Sequence, residues 1–311
     1  MSDAAEPGEL LYVGAGWILC DVMMELAEFP NENSKTEALR HLTQVGGPAT
    51  RAVMLLRKFG ARGRVVGSVG DDYWGRSVLG ELAANDIDVS FVRRVQGAQT
   101  RIAQVWLARS SGSRTVAYAA DGADVAVERA NEALAGAKAF LMDGRHPAEL
   151  MALARTATEA GALVALDTGS YKPGLRDLIE VSDVVVGPAS TWERLAQECG
   201  LLSTEELTGT LGKRTCVVTR GKASVWARSS GLVAEHTPDK VVAVDSNGAG
   251  DVFFGGFVWA QTHGYPLAEA VRFASVGARL KCLRMGNGGL PRLDEIEALV
   301  DGPGRNKKFL A

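Results

Sequence analysis

Asp245-Ser246-Asn247-Gly248-Ala249-Gly250-Asp251, continuing through Val252-Phe253-Phe254-Gly255-Gly256-Phe257, decides how this chain is read. The apolar run Val241-Val242-Ala243-Val244 precedes it and is expected to be a buried strand. Phe254, Phe257 and Val258 follow at i, i+3 and i+4, a spacing that predicts a helix. Strand, glycine turn and helix is the expected order. Gly248 and Gly250 let the backbone turn tightly and approach a ligand without a Cβ in the way. The first amides of a helix have no intrahelical partner, and the dipole adds partial positive charge there. Such an end suits a phosphate. Asp251 runs against this, because a carboxylate repels a phosphate at rest. It fits if its task is to take a proton from a hydroxyl that attacks the phosphate. The plainer alternative is a first-turn Asp that complements the dipole.

The chain has 311 residues, enough for about two domains at ~150 each or for one α/β domain with an appended subdomain. A hydrophobic share of 46% allows a large core, and 23% charged residues is ordinary for a soluble domain. A net charge of −3 gives no sign of a nucleic-acid or anionic-membrane partner. Cys20, Cys199, Cys216 and Cys282 have neither CxxC nor metal-site spacing and are expected as reduced thiols. Met1 to Gly8 is polar, without the apolar segment of a secretion signal, and no run of ~18 apolar residues predicts a transmembrane helix. The cytoplasm is the expected compartment.

Leu10-Leu11-Tyr12-Val13 is expected as a first buried strand, stopping at Gly14-Ala15-Gly16. A dinucleotide fingerprint would need glycine where Leu19 stands, and Pro30 cuts short any following helix. A turn leading to Asp21, then a polar excursion through Asn31, Glu32, Asn33 and Ser34, is expected instead. Gly46-Gly47-Pro48-Ala49-Thr50 opens a helix with apolar Ala52, Val53, Leu56 and Phe59, ended by Gly60. A strand over 64–69 and a helix around Val78 and Leu82 complete a βαβ rhythm, which predicts parallel pairing. Between about Val89 and Ala120 the rhythm changes. Arg101–Leu107 and Thr115–Tyr118, joined through Ser110-Ser111-Gly112-Ser113, predict a hairpin, either a lid or a plain edge hairpin. From Asp121 the alternation returns. Strands at 139–142, 163–166, 184–186 and 216–219 end at Asp143, Asp167, Gly187 and Arg220. Polar residues thus gather at the carboxyl ends of successive strands, the edge where open α/β sheets bind ligands. The segment 302–311 is expected to be a flexible tail.

The string from Asp245 to Asp251 resembles the C-terminal signature of the ribokinase-like, PfkB-type carbohydrate kinases, Asp-Thr-x-Gly-Ala-Gly-Asp, with Ser246 keeping the threonine hydroxyl. The resemblance spans about residues 10–300, and its motifs fall in the family's order. It implies an α/β, three-layer sandwich: a mostly parallel central sheet flanked by helices, with a small antiparallel β lid from about 16–40 and 89–120. Asp251 matches the catalytic base, and Asn247, Gly248, Ala249 and Gly250 the anion hole. Asp21 matches an aspartate that holds sugar hydroxyls, and Gly46-Gly47 a di-glycine facing the substrate. Gly67-Ser68-Val69-Gly70-Asp71-Asp72-Tyr73-Trp74-Gly75 is similar to a further family segment. Glu193 takes the place of a glutamate near magnesium and the phosphates, acting through water. Thr219-Arg220-Gly221 resembles a turn beside the nucleotide. The resemblance also places Asn287 by the nucleotide and allows a monovalent cation, K+, near Asp245 and the loop Gly286-Asn287-Gly288-Gly289.

The departures are specific. Thr50 stands where the family often carries asparagine, and Ala189-Ser190 replaces the asparagine of an Asn-x-x-Glu motif. Asp143-Gly144-Arg145-His146 resembles ketohexokinases and sulfofructose kinases, whose corresponding arginine lies near the substrate. Val271-Arg272-Phe273-Ala274-Ser275 and Lys281-Cys282 lean the same way. Arg145 is therefore a candidate for an anionic substrate group, or else a surface or interface arginine. The implied activity is ATP-dependent phosphorylation of a sugar or sugar-like alcohol, with Mg2+ on the phosphates, in a homodimer joined through the lid. A nucleoside or vitamin-like alcohol as acceptor, and a non-catalytic sugar-binding regulator, are the alternatives.

Overall fold

A computed structural model describes residues 10–122, 125 and 127–301. The expected tail at 302–311 and the polar start at 1–8 lie outside the described residues. The chain runs β1 (Leu11–Ala15), β2 (Leu19–Leu26), β3 (Arg40–Gly46), α1 (Pro48–Lys58), β4 (Arg62–Gly70), α2 (Tyr73–Ala84) and β5 (Ile87–Val95). It continues through β6 (Arg101–Ala108), β7 (Ser113–Tyr118), α3 (Ala130–Leu134), β8 (Ala137–Met142), α4 (Pro147–Glu159), β9 (Leu163–Asp167), α5 (Leu175–Glu180) and β10 (Val184–Pro188). The last part is α6 (Ala189–Glu198), α7 (Thr204–Thr210), β11 (Thr215–Thr219), β12 (Val225–Ser229), β13 (Leu232–His236), α8 (Ala249–Thr262), α9 (Leu267–Cys282) and α10 (Leu293–Asp301).

Nine strands form one sheet in the order β13-β12-β11-β10-β9-β8-β1-β4-β5. From β11 to β5 all pairs are parallel; β12 and β13 close the far edge antiparallel. Alternation along β1 shows why helices cover both faces. Tyr12 packs into the core built with α1, α8 and α9, while Leu11 and Val13 pack into the core built with α4, α5 and α6. Helix α8 is apolar nearly all round and buried nearly all round, as such a helix must be. Its two glycines admit the neighbouring backbones. A Cβ on Gly255 would sit 3.1 Å from Ala52 O and 3.2 Å from Ala52 Cα of α1, whereas one on Gly256 would meet α9 no closer than 3.4 Å.

A second sheet, β3-β2-β6-β7, stands apart. Its pairs β2–β3 and β6–β7 are antiparallel and β2–β6 is parallel. Trp17, Leu19, Met23, Ala103, Val105 and Leu107 give it an apolar inner cluster, while every residue of β7 is exposed. Its root is fastened by Asp72, which caps α2 by accepting from the Gly75 amide at 2.7 Å. The same carboxylate accepts from the Thr100 amide at 2.8 Å and the Thr100 hydroxyl at 2.6 Å, just before β6.

Three expectations change. Val241–Val244 is not a strand: Val242 is 90% exposed, the sheet has already ended at β13, and the amides of Val244 and Asp245 donate to Cys282 O at the end of α9. Ile87–Val95 pairs with β4 at the edge of the large sheet and is not part of the lid. Asp21 lies in strand β2, not in a turn, and β3 follows as its partner. The period-2 pattern of β2 was masked because two of its inner-face positions, alternating with Leu19 and Met23, carry Asp21 and Glu25.

Replacing Gly255 by leucine should lower unfolding stability by about 1–3 kcal/mol through overpacking against α1, while Gly256→Ala should be close to neutral. Urea midpoints of the two variants check this contrast.

Candidate active site

Helix α8 begins at Gly248, whose φ of 80° and ψ of 2° are left-handed. Only glycine takes this conformation without strain, and a Cβ there would also meet Arg51 Cδ at 2.6 Å. No side chain caps the helix. The Ala249 amide turns back to Ser246 O at 3.4 Å, while Gly250 borders open space, which leaves its first-turn amide for a ligand. Asp251 sits in that turn. Upstream, Asp245 Oδ1 accepts from the Asn247 amide at 2.8 Å and so fixes the start of the turn.

Arg51, projecting from α1, joins Asp251 to the small sheet. Its Nη1 donates to Asp251 Oδ2, its Nη2 to Asp21 Oδ2 at 2.6 Å, and its Nε to Asn287 Oδ1 at 3.0 Å. Asn247 Nδ2 donates to the same Asp21 oxygen at 3.0 Å. Arg51 is only 4% exposed. Burial alone would lower its pKa, but Asp251 and Asp21 more than offset this and raise it. Gly46 and Gly47 serve this junction: a Cβ on Gly46 would meet Asp21 Oδ1 at 2.5 Å, and one on Gly47 would meet Trp17 O at 2.0 Å. Thr50 is buried beneath them. The residue after it, Arg51, reaches the site, and sequence reasoning missed it. Its signal was an arginine among positions that α1 otherwise buries as apolar residues.

A second polar group lies at the ends of β8 and β9. Asp143 accepts from the amides of Trp17 at 2.8 Å and Arg145 at 3.0 Å, and burial pushes its pKa up to about 6. Asp167 is pushed up to about 7, first by burial and then by the charge of Asp251. Lys172, also missed in the sequence, donates to Thr168 O at 2.8 Å and is pulled down to about 8, chiefly by burial. The Arg145 guanidinium lies over the Trp17 ring at 4.0 Å and beside Tyr118 of β7. Among the described residues no carboxylate forms an ion pair with Arg145.

The remaining candidates are spread along the same sheet edge. Glu193 is exposed on α6, just after β10. Thr219 ends β11 and donates to Gly187 O at 3.3 Å, and Arg220 and Gly221 follow on the exposed turn. Asn287 is placed differently from the expectation. Its side chain is taken up by Arg51, Val45 O and Glu81, so its amide is engaged by protein and not turned toward a nucleotide. Around Asp245 the structure places Lys281, whose Nζ donates to Asp245 Oδ2 at 2.9 Å.

The family model described as pfkB family carbohydrate kinase matches residues 18–292. A 2-dehydro-3-deoxygalactonokinase of Haloferax volcanii is 28% identical over 299 residues, covering 88% of this chain and 93% of that protein. An ATP-dependent ribose-1-phosphate kinase of Halopiger xanaduensis is 25% identical over 294 residues, covering 93% and 97%. The structure of Arabidopsis thaliana ribokinase complexed with ribose and ATP superimposes with a TM-score of 0.79 at 21% identity, over 94% of this chain and 98% of that one, and so shares the fold.

The Asp167 carboxyl should titrate near about 7 by 13C NMR and move down in Asp251→Asn, which removes the neighbouring charge. In the window from its unfolded value of ~4 up to about 7, the folded protein holds a proton that the unfolded chain has lost, so this group's contribution to stability falls as pH rises. Asp167→Asn should therefore gain stability relative to the wild type between pH 5 and pH 8, measured as the difference in Tm.

Proposed function

The chain belongs to the pfkB family of carbohydrate kinases, and from that premise we propose that it moves the γ-phosphoryl group of ATP onto a hydroxyl of a sugar or sugar derivative, with Asp251 as general base. The observation that carries this reading is the placement of Asp251 in the uncapped first turn of α8, one guanidinium away from Asp21. Asp21 and Asn247 are already joined by a hydrogen bond and present an acceptor and a donor to sugar hydroxyls. Arg51 donates to Asp251 and holds its carboxylate in place, where it accepts the proton of the attacking hydroxyl. The amides of Gly248 and Gly250, with the dipole of α8, stabilise the charge that develops on the transferring group, with the attacking and leaving oxygens roughly in line.

The nucleotide is assigned to the edge formed by the ends of β10 and β11, with Glu193 and the turn Thr219-Arg220-Gly221 beside it. Glu193, an exposed carboxylate, fits an outer contact to Mg2+ through water; when bound, the ion offsets the negative charge of the phosphates. The small sheet is taken as a lid, whose inner apolar cluster would exclude water from the reaction.

Arg145 supports an anionic acceptor. It lies over Trp17 at the lid, without a carboxylate partner among the described residues, and its planar fork suits a carboxylate, phosphate or sulfonate. A nucleoside is the second reading, favoured by the aromatic pair Trp17–Tyr118, whose ring centroids are 5.5 Å apart. Pairing of two copies through their lids belongs to the same proposal. Met24 and Trp106 are in register on adjacent strands, and both are exposed on the lid's outer face.

Asp251→Asn should reduce kcat by ~10²–10⁴, the range for loss of a general base, with nucleotide binding by calorimetry largely preserved. Wild-type turnover in that variant would remove the assigned role. Arg145→Ala should lower kcat/KM for an anionic sugar by about 10–100-fold, from the ~1.5–3 kcal/mol of a charged hydrogen bond, and leave a neutral sugar nearly unaffected. Equal losses on both would end the anion assignment, and activity confined to nucleosides would favour the second reading.

A further inference from the structure

Asp245 is 1% exposed and carries the anion turn. A carboxylate taken out of water needs a compensating charge close by. Lys281, in the last turn of α9, supplies it and is itself fully buried. Its Nζ donates to Asp245 Oδ2 at 2.9 Å, to Arg284 O at 3.2 Å and to Asp245 O at 3.4 Å. An ammonium has three donors, and here each meets an oxygen. The second contact on Asp245 Oδ2 is the Gly286 amide at 2.8 Å. The set of one carboxylate and two main-chain carbonyls is also what a bare monovalent cation takes from a protein. The place expected for K+ beside Asp245 and the Gly286 loop is therefore filled by a side chain, and the residues present do not fit a separate ion.

A lysine placed merely to complement the dipole of α9 would keep its head in water. Lys281 instead accepts full burial. Burial lowers its pKa, and Asp245 works in the opposite direction. Through Asp245, it holds the end of α9 and the Gly286 loop against the start of the turn that leads to Gly248.

We propose that the Lys281 ammonium is a tethered monovalent cation for the anion turn, so that phosphoryl transfer needs no added K+. The proposal rests on the kinase reading above, and its test includes a measurement that does not. Wild-type turnover should agree within about twofold in buffers of K+, Na+ or choline as the only cation. Lys281→Ser, which opens the position, should lose ~10–100-fold in choline, as for loss of a supporting partner at a metal site, and regain activity in K+ or NH4+. Separately from activity, K+ should raise the Tm of Lys281→Ser and not that of the wild type. Activation of the wild type by K+ of tenfold or more, or K+-specific thermal stabilisation of the wild type, would overturn the proposal. If Lys281→Ser does not fold, the two wild-type measurements decide. If no salt gives turnover, the kinase reading fails and the thermal measurement alone judges the cation.

Discussion

The arrangement of the site depends on one guanidinium shared by two carboxylates. Asp21 comes from the small sheet and Asp251 from the start of α8, and left together without a counter-charge they would repel. Arg51 reaches both from α1 while its Nε holds Asn287, so one side chain joins the small sheet, helix α8 and the loop after α9. Such a buried triad is a weak source of stability in itself, because desolvation offsets much of the attraction. Its effect is to fix geometry: the separation of the two carboxylates is set by the span of a rigid planar group.

A second buried pair, Lys281 with Asp245, lies at the other end of the same turn. The turn that leads into α8 therefore begins and ends next to fixed positive charge, one from α9 and one from α1. This is preorganisation in the strict sense, since neither cation has to be recruited when charge develops. The cluster of Asp143, Asp167 and Lys172 is tuned differently. Burial holds the two carboxyls near neutrality and draws the amine down, so this part of the edge changes charge within the physiological range.

Much of the fold was legible because β-strands followed by glycine or aspartate and then by helical spacing leave a local signature. The strands expected at 139–142, 163–166, 184–186 and 216–219 lie where their apolar runs placed them, and Arg101–Tyr118 is the expected hairpin. What failed was whatever depended on a partner distant in sequence. The Val241–Val244 run has the composition of a strand and no neighbour to pair with. Strand β2 has a neighbour on each side, but Asp21 and Glu25 hide its alternation because the face it turns inward is a polar site. The burial of Arg51 and Lys281 was hard to foresee for the same reason: a charged residue in a helix normally means solvent, and only the meeting of α1, α8, α9 and β2 makes these two interior. The motif from Asp245 to Asp251 marked the glycine turn and the start of α8, while its counter-charges are a tertiary property.

The fastening of β6 by Asp72 and Thr100 has a consequence for how such a protein can diversify. One carboxylate both starts a helix and grips the base of the flap, so the flap's foundation is inherited with the sheet and not with its own tip. Strand β7 is wholly exposed, and its Arg114 donates to Ser246 Oγ at 3.3 Å in the turn that leads to α8. Tyr118, its last residue, touches both Trp17 and Arg145. A change at Tyr118 would therefore alter what surrounds Trp17 and Arg145 while the Asp72–Thr100 fastening stays in place.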